Sequence, residues 1–163
     1  MSGAEAAQLP IYSARIQPDW IDYNGHLRDA YYLLVASYAI DELMDHLGLD
    51  AAYRQRTHCT LYSLEMHIHY LNEVKDSDDL RVVTSILDFD RKRIHAGCTF
   101  LCSRLPNPAA TADVMLMHVH QGIKPAGASF PDAVTTKLNA LKLSPAAREA
   151  FGPLSRKIEL KPR

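Results

Sequence analysis

The sequence lacks the features that mark several large classes of protein. Lys and Arg number 18 against 19 Asp and Glu, so the formal net charge of -1 leaves no basic excess for a broad nucleic-acid-binding surface. No apolar run approaches the roughly 18–20 residues of a membrane-spanning helix. The first ten residues carry no basic start followed by an apolar segment, as a secretory signal would. We therefore expect a cytoplasmic protein without nucleic-acid or membrane partners.

Cysteine is also scarce, and its number is odd. The three residues are Cys59, Cys98 and Cys102. A chain of this size buries about two-thirds of the surface that its unfolded form exposes, so it needs no disulfide framework. Because no second cysteine pair accompanies Cys98 and Cys102, their spacing does not indicate a zinc site. We predict free, buried thiols in a reducing compartment.

The hydrophobic pattern predicts one globular domain built on a buried helix. We assign the domain to residues 11–143, between a flexible N-terminus at 1–10 and a tail at 144–163. A helical pattern runs from about Leu27 to Leu47 and is apolar over most of its circumference. Such a helix lies inside a fold, not on its surface. Gly48 follows it as an expected left-handed cap.

Alternating strand patterns account for most of the remaining chain. They run over Ile11–Gln17, Thr57–Val74, Leu80–Phe89, Ile94–Leu105 and Ala109–Ile123, and a short helix is expected at Asp132–Leu143. We expect the last four strands to form an antiparallel meander, because short turns join them. A five-stranded antiparallel sheet wrapped around one long central helix is the hot-dog arrangement of the α+β class. Its long edge strand favours a homodimer or homotetramer.

A polar loop at Asp22–His26 stands directly before the predicted helix. The Asp22 carboxylate is suited to activating water or to attacking a carbonyl. The N-terminus of the helix offers N–H donors for the oxyanion that such an attack creates. Gly25 allows the backbone to come close to a ligand. Because Asp and Asn are also common caps and turn formers, these residue types alone leave a purely structural role open.

The loop resembles a motif of the hot-dog acyl thioesterases. Asp22, Asn24 and His26 match their D-x-N-x-H pattern, and Asp22 and Gly25 match the D-x-x-G of the 4-hydroxybenzoyl-CoA thioesterase group. The fuller string at 19–27 is similar to thioesterases associated with carnitine dehydrogenase, which act on betainyl-CoA. Further similar stretches lie at 47–53, 63–68, 91–95 and 112–119, so the resemblance covers roughly residues 10–140.

The resemblance implies an acyl-CoA thioesterase that acts on a small or polar acyl-CoA, best betainyl-CoA, without a cofactor. Asp22 would be the nucleophile or general base, and Asn24 and His26 would position the water or the carbonyl. Glu65 lies near the place where such enzymes carry another acidic residue, and it fits a catalytic partner and a surface or interface charge equally. The active site would form at a subunit interface.

Further residues are predicted to bind the substrate: Tyr23, Gly25, Tyr31, Tyr62, Arg91, Lys92 and Arg93. The basic cluster stands at a strand turn and suits the phosphates of CoA, since Arg binds phosphate with paired hydrogen bonds. It equally fits an ordinary solvated turn. The tyrosines would line the acyl pocket, where an aromatic face attracts a quaternary ammonium group, although buried tyrosines are also common in cores.

Two other functions stay open at this point. Hot-dog hydratases and dehydratases usually place the His one residue farther from the Asp than His26 stands, with Pro at the position of Gly25, so this sequence departs from their pattern. A non-catalytic acyl-CoA-binding protein would keep the pocket and the basic turn but show no turnover. A transcription regulator is disfavoured, because no separate helix-turn-helix segment fits in the length.

Histidines at alternate positions raise the question of a metal site. The row comprises Glu65, His67, His69, His118 and His120. On adjacent strands these side chains would share a face and supply imidazole ligands. The same alternation is expected where polar residues point outward from a half-exposed strand. Since no cysteine or second carboxylate joins the set, we predict no metal.

Overall fold

The computed structural model of the chain describes residues 9–151. The strands are β1 (Ile11–Ala14), β2 (Cys59–Tyr70), β3 (Leu80–Phe89), β4 (Arg93–Leu101), β5 (Ala110–His120) and β6 (Ala126–Gly127). The helices are α1 (Asp29–Leu47), α2 (Ala51–Thr57), α3 (Asp132–Leu141) and α4 (Pro145–Ala150), with a short 3₁₀ turn at Pro18–Trp20. The predicted α+β class is confirmed. No helix of this described part is long and apolar enough to cross a membrane.

The strands form one antiparallel sheet in the order β1-β3-β4-β5-β2, and β6 adds a short pairing to β5. The predicted meander is confirmed for β3, β4 and β5 but is wrong for β2, which pairs with β5 and not with β3. The physical reason is the connection between them, residues 71–79, which is longer than a hairpin loop and carries the chain past the ends of the intervening strands. β2 therefore stands at one edge of the sheet.

Helix α1 is the buried centre that its apolar circumference predicts. Its 19 residues include Val35 and Leu43, which have no exposed surface, and the inner sides of the sheet strands cover them. Gly48 ends the helix in the left-handed conformation, at φ 88°. The helix begins at Asp29, two residues after the expected start at Leu27. Leu27 and Arg28 stay extended because their N–H groups donate to the carbonyls of Val74 and Trp20, at 2.8 and 2.9 Å.

Helix α2 lies in a stretch for which the sequence patterns predict no element. Asp50 caps it by accepting from the Tyr53 N–H at 2.8 Å. The Tyr53 hydroxyl lies 2.9 Å from Nε2 of buried His118, whose Nδ1 lies 2.9 Å from the Ala128 carbonyl. A carbonyl only accepts, so Nδ1 carries a proton and donates to Ala128, while Nε2 shares a hydrogen bond with the tyrosine hydroxyl. This chain of bonds attaches α2 to β5.

The segment after α3 returns to the outer face of the sheet. Lys142 forms a parallel bridge with Ile86, and the Phe151 ring lies within 2.5 Å of the place where a Cβ on Gly97 would stand. Residues 144–151, assigned to the tail, thus pack on the domain. The predictions for residues 1–8 and 152–163 concern parts of the chain outside the described residues. The three cysteines are free and buried, as predicted.

Candidate active site

The Asp22–His26 loop is closed by the side chain of its first residue. Oδ1 of Asp22 accepts from the N–H groups of Asn24 at 2.8 Å and His26 at 3.0 Å. The Asp22 N–H donates to the His26 carbonyl at 2.8 Å, and the Gly25 N–H donates to the Asp22 carbonyl at 3.0 Å. Gly25 has φ 77°, a conformation that favours glycine. The loop therefore holds the carboxylate in one direction.

These hydrogen bonds set the charge of Asp22. The His26 N–H, followed by the Asn24 groups, stabilises the carboxylate and lowers the pKa of Asp22, although desolvation acts in the opposite direction. Asp22 is consequently ionised at neutral pH. An ionised carboxylate is the form that either a nucleophile or a general base requires.

The loop is attached to the connection between β2 and β3. The backbone of His26 forms an antiparallel β-bridge with that of Lys75, and Nε2 of His26 lies 3.1 Å from Oε2 of Glu73. Glu73 thereby orients the His26 imidazole, as a carboxylate does for many functional histidines. Sequence reasoning did not find Glu73, since no local spacing links it to the loop. Only the fold of residues 71–79 brings the two side chains together.

A cavity of about 310 Å³ lies beside His26. Its lining includes Asp29, Tyr32, Tyr70 and Glu73. The rings of Tyr32 and Tyr70 meet edge to face, with centroids 5.2 Å apart. Desolvation raises the pKa of Tyr32 to about 12, so its hydroxyl stays neutral. The cavity thus combines aromatic and acidic groups next to the loop.

The tyrosines predicted to line the acyl pocket lie elsewhere in the protomer. Tyr23 is 92% exposed at the loop tip. Tyr31 stacks on Trp20 with centroids 5.0 Å apart. Tyr62 is exposed on the edge strand, where its hydroxyl accepts from the Gln121 amide at 3.4 Å. None of the three lines the cavity beside His26.

Glu65 lies on β2 and not beside Asp22. A β-bulge falls between Ser63 and Glu65, and Oε1 of Glu65 lies 3.1 Å from Nε2 of His67. Glu65 also borders a groove of about 560 Å³ between β2 and α1, lined by exposed Leu33 and Leu64. Within one protomer the structure therefore separates the two acidic residues that the sequence associated.

The histidine rows do not share a face. His67 lies 4.0 Å from Oδ2 of Asp113, which also pairs with His95 at 2.9 Å. His118 points to the opposite, core side, where it stacks on Phe130. Among the residues that the structure describes, no group of three or more His, Cys, Asp or Glu side chains is arranged to hold a metal ion.

The basic cluster lies between β3 and β4. Arg91 donates to the Ser129 hydroxyl at 2.7 Å. Nε and Nη2 of Arg93 donate to Oδ2 of Asp90 at 2.8 and 2.6 Å. The Arg93 guanidinium lowers the pKa of Asp90 to about 2. Lys92 packs its stem near Gly127. The ten residues of β3 span about 30 Å. The basic cluster follows the end of β3, whereas the Asp22 loop contacts the segment before its start. Within one protomer the basic cluster therefore lies far from the Asp22 loop.

Most backbone donors of the loop and of the two residues after it are already engaged. The N–H groups of Asn24, Gly25, His26, Leu27 and Arg28 all donate within the chain. The first turn of α1 offers another place for an oxyanion hole. There the Ala30 N–H donates to Oδ1 of Asp29 at 2.8 Å. That carboxylate must turn away before Ala30 can serve a substrate oxygen.

Comparison with known proteins gives a consistent result. The model of the thioesterase-like superfamily matches residues 16–138. A betainyl-CoA thioesterase of Pseudomonas aeruginosa is 41% identical over 133 residues, which cover 82% of this chain and 83% of that protein. An L-carnitine dehydrogenase/betainyl-CoA thioesterase of Agrobacterium fabrum is 40% identical over 68% of this chain, which spans only 22% of that longer protein.

A solved structure supports the same assignment. A hypothetical protein of Staphylococcus aureus, solved in complex with CoA, superposes with a TM-score of 0.79 at 27% identity, covering 98% of this chain and 100% of that one. The predicted hot-dog fold and thioester-hydrolase class are therefore confirmed. From its sequence, its curled antiparallel sheet and these relatives, the chain belongs to the thioesterase-like superfamily.

Proposed function

We propose that this protein hydrolyses betainyl-CoA to the free acid and CoA. The observation that carries the proposal is the ionised Asp22, held in a loop whose last residue, His26, lines a small cavity that is both aromatic and acidic. The 41% identical relative named betainyl-CoA thioesterase supports the choice of substrate. In the reaction, water adds its oxygen to the thioester carbonyl, the C–S bond breaks, and the sulfur leaves as the CoA thiol.

Asp22 would act in one of two ways. As a general base it takes a proton from the attacking water. As a nucleophile it attacks the carbonyl and forms an anhydride that water then hydrolyses. Asn24 and His26 would position the water or carbonyl, and the N-terminus of α1 would stabilise the oxyanion. Single-turnover hydrolysis in H₂¹⁸O separates the routes, because only the nucleophilic route can place ¹⁸O in the Asp22 carboxylate.

We infer that a homodimer is the catalytic unit. The outer side of β2 pairs with no strand of the described chain, and Leu33 and Leu64 are 51% and 52% exposed next to it. A second copy pairing antiparallel through β2 would complete the strand's hydrogen bonds and cover these side chains. This arrangement also allows a homotetramer to form from two dimers.

Antiparallel pairing would bring the separated parts of the site together. The basic turn lies at the end where β2 starts, since the Lys92 carbonyl accepts from the His118 N–H at 2.8 Å and Cys59 pairs with His120. The other end of β2, at Tyr70, borders the cavity beside His26. Reversing the strand direction in a second copy places its basic turn at the cavity end of the first. CoA phosphates would bind there.

Thiol release from a panel of acyl-CoAs tests this function. Wild type and Asp22→Ala are run side by side with betainyl-CoA in the panel, and the signal of the protein's own three cysteines is subtracted. A preference for betainyl-CoA that disappears in the variant supports the proposal. Release with no dependence on Asp22, or no release at all, contradicts it.

The thioesterase relatives disfavour the alternative of a non-catalytic acyl-CoA-binding protein, although the Asp22 carboxylate also has a structural role in closing its own loop. Tight binding of acyl-CoA without thiol release would support it.

The hydratase alternative finds no support in the loop geometry. Gly25 stands at φ 77°, whereas proline is restricted to about −65° and would not fit at this position.

A further inference from the structure

The cavity beside His26 is negatively charged as well as aromatic. Its lining includes the acidic residues Asp29 and Glu73 and the aromatic residues Tyr32 and Tyr70, while no lysine or arginine of the described chain lines it. We propose that this cavity binds the quaternary ammonium head of the acyl group, with Tyr70 as the main specificity-determining residue. The inference rests on the proposed hydrolysis of betainyl-CoA and identifies where its cation binds.

The aromatic ring of Tyr70 is both held in place and accessible. Its hydroxyl donates to the Asp29 carbonyl at 3.3 Å, and its ring meets that of Tyr32 edge to face at 5.2 Å. Tyr32 is itself fixed against Phe100, with centroids 5.4 Å apart, and is only 4% exposed. Tyr70 is 54% exposed. A cation within about 6 Å of such a ring face is attracted by the ring quadrupole.

The carboxylates suit a cation that cannot donate a hydrogen bond. A trimethylammonium group has no N–H, so carboxylates attract it through charge alone. Glu73 is positioned by its 3.1 Å contact with His26, whereas the Asp29 carboxylate must leave the Ala30 N–H if that group stabilises the oxyanion. Both lie at the exposed rim, where water and salt weaken the attraction. The Tyr70 face should therefore contribute more to selectivity than either acid.

The size and position of the cavity fit the betainyl group. Its volume of about 310 Å³ is at the small end of ligand pockets, which run from about 300 to 1,000 Å³. A short, compact head fits such a space better than a long acyl chain. In betainyl-CoA a single methylene separates the nitrogen from the thioester carbonyl. A cation against Tyr70 therefore leaves the carbonyl on the His26 side of the same cavity.

Two thioesters of equal shape test this placement. Betainyl-CoA and 3,3-dimethylbutyryl-CoA differ in a charged nitrogen against a neutral carbon, and the ratio of their kcat/KM values measures recognition of the charge. Tyr70→Leu should lower the ratio roughly 3- to 30-fold. Tyr70→Phe should retain most of it, because the ring face remains. Tyr38→Leu is the matched control, since Tyr38 is a 41% exposed tyrosine outside the cavity.

Glu73→Gln provides a second variant that changes charge without removing bulk. It should lower the same ratio, and more so at low ionic strength. If wild type hydrolyses neither thioester, the proposed function fails and takes this inference with it. If wild type hydrolyses both equally well, or if Tyr70→Leu and Glu73→Gln both keep the preference, the inference alone is overturned and the thioesterase assignment stands.

Discussion

Nε2 of His26 lies 3.1 Å from Oε2 of Glu73, a contact that joins the Asp22–His26 loop to the connection after β2. His26 lies in the loop before α1, and Glu73 lies in residues 71–79, which connect β2 to β3. Because the imidazole is 29% exposed, it is both held by Glu73 and accessible to a ligand in the adjoining cavity. Glu73 is therefore a positioning residue for His26.

Replacing Glu73 should lower kcat by an amount that depends on whether the new side chain can accept a hydrogen bond from the His26 imidazole. Gln keeps an oxygen that can bond the imidazole, whereas Ala leaves the ring free to rotate. We expect kcat on the neutral thioester to fall several-fold in Glu73→Ala and clearly less in Glu73→Gln. Steady-state kinetics with 3,3-dimethylbutyryl-CoA measures this without the effect of substrate charge. Equal losses in both variants would contradict a positioning role.

The dimer prediction rests on the apolar side chains beside the open edge of β2. Leu64→Glu would place like charges near the two-fold axis of the proposed dimer, and we expect it to reduce the mass from twice 18.3 kDa to 18.3 kDa and to abolish turnover. Light scattering coupled to size-exclusion chromatography measures the mass. Ile11→Glu is the control, because Ile11 is 49% exposed on β1, at the opposite edge of the sheet from β2. An active Leu64→Glu monomer would refute the shared site.

The basic turn should contribute to binding of CoA and not to the chemical step. Arg93 is held by Asp90, so the charges available to phosphate are those of Arg91 and Lys92. We expect the double variant Arg91→Ala/Lys92→Ala to raise KM about tenfold with little change in kcat. Arg15→Ala removes another exposed basic side chain and serves as the control. An unchanged KM would remove the turn from the site.

Stability at acid pH should depend on the ion pair between Asp78 and Arg104. Their bidentate contacts are 2.8 and 2.7 Å, the Asp78 side chain is 4% exposed, and the Arg104 guanidinium lowers the pKa of Asp78 to about 2. Because the folded pKa is below the ordinary value of 3.8, the contribution is complete above about pH 4 and is lost as pH falls through 2.

Asp78→Asn should therefore lower the free energy of unfolding by on the order of 2 kcal/mol at neutral pH, and the loss should shrink toward pH 2. Denaturant unfolding at several pH values measures both quantities. Asp76→Asn, an exposed acid in the same turn, should leave stability unchanged. A loss in Asp78→Asn that is the same at every pH would show that the charge of Asp78 is not its cause.

Local patterns predicted those parts of the fold that local physics determines. The bounds of β3 are those read from its β-branched run, and Gly48 adopts the left-handed cap expected after α1. The partner of β2 was not predictable from the neighbouring order of the strands, because the 71–79 connection determines the crossover. The seven-residue helix α2 was missed because contacts between Tyr53 and His118, distant in sequence, stabilise it.

The candidate site likewise contains some residues that a local motif predicts and others that only the fold brings together. The loop from Asp22 to His26 is a local motif, so its residues could be proposed from the sequence alone. Tyr70, at the end of β2, and Glu73, in the connection after it, enter the site only through the path of the chain, and no spacing in the sequence indicates it. The three tyrosines chosen from the sequence lie outside the cavity, because proximity along the chain does not determine which ring faces it.

The central claim is that the charge of Asp22 drives thioester hydrolysis, and Asp22→Asn tests it most directly. Asn keeps an Oδ1 that can accept from the N–H groups of Asn24 and His26, so the loop should stay closed while the carboxylate charge is lost. The account predicts that kcat for betainyl-CoA falls about 10²- to 10⁴-fold with unfolding stability close to wild type. Hydrolysis at the wild-type rate in a folded Asp22→Asn protein would contradict it.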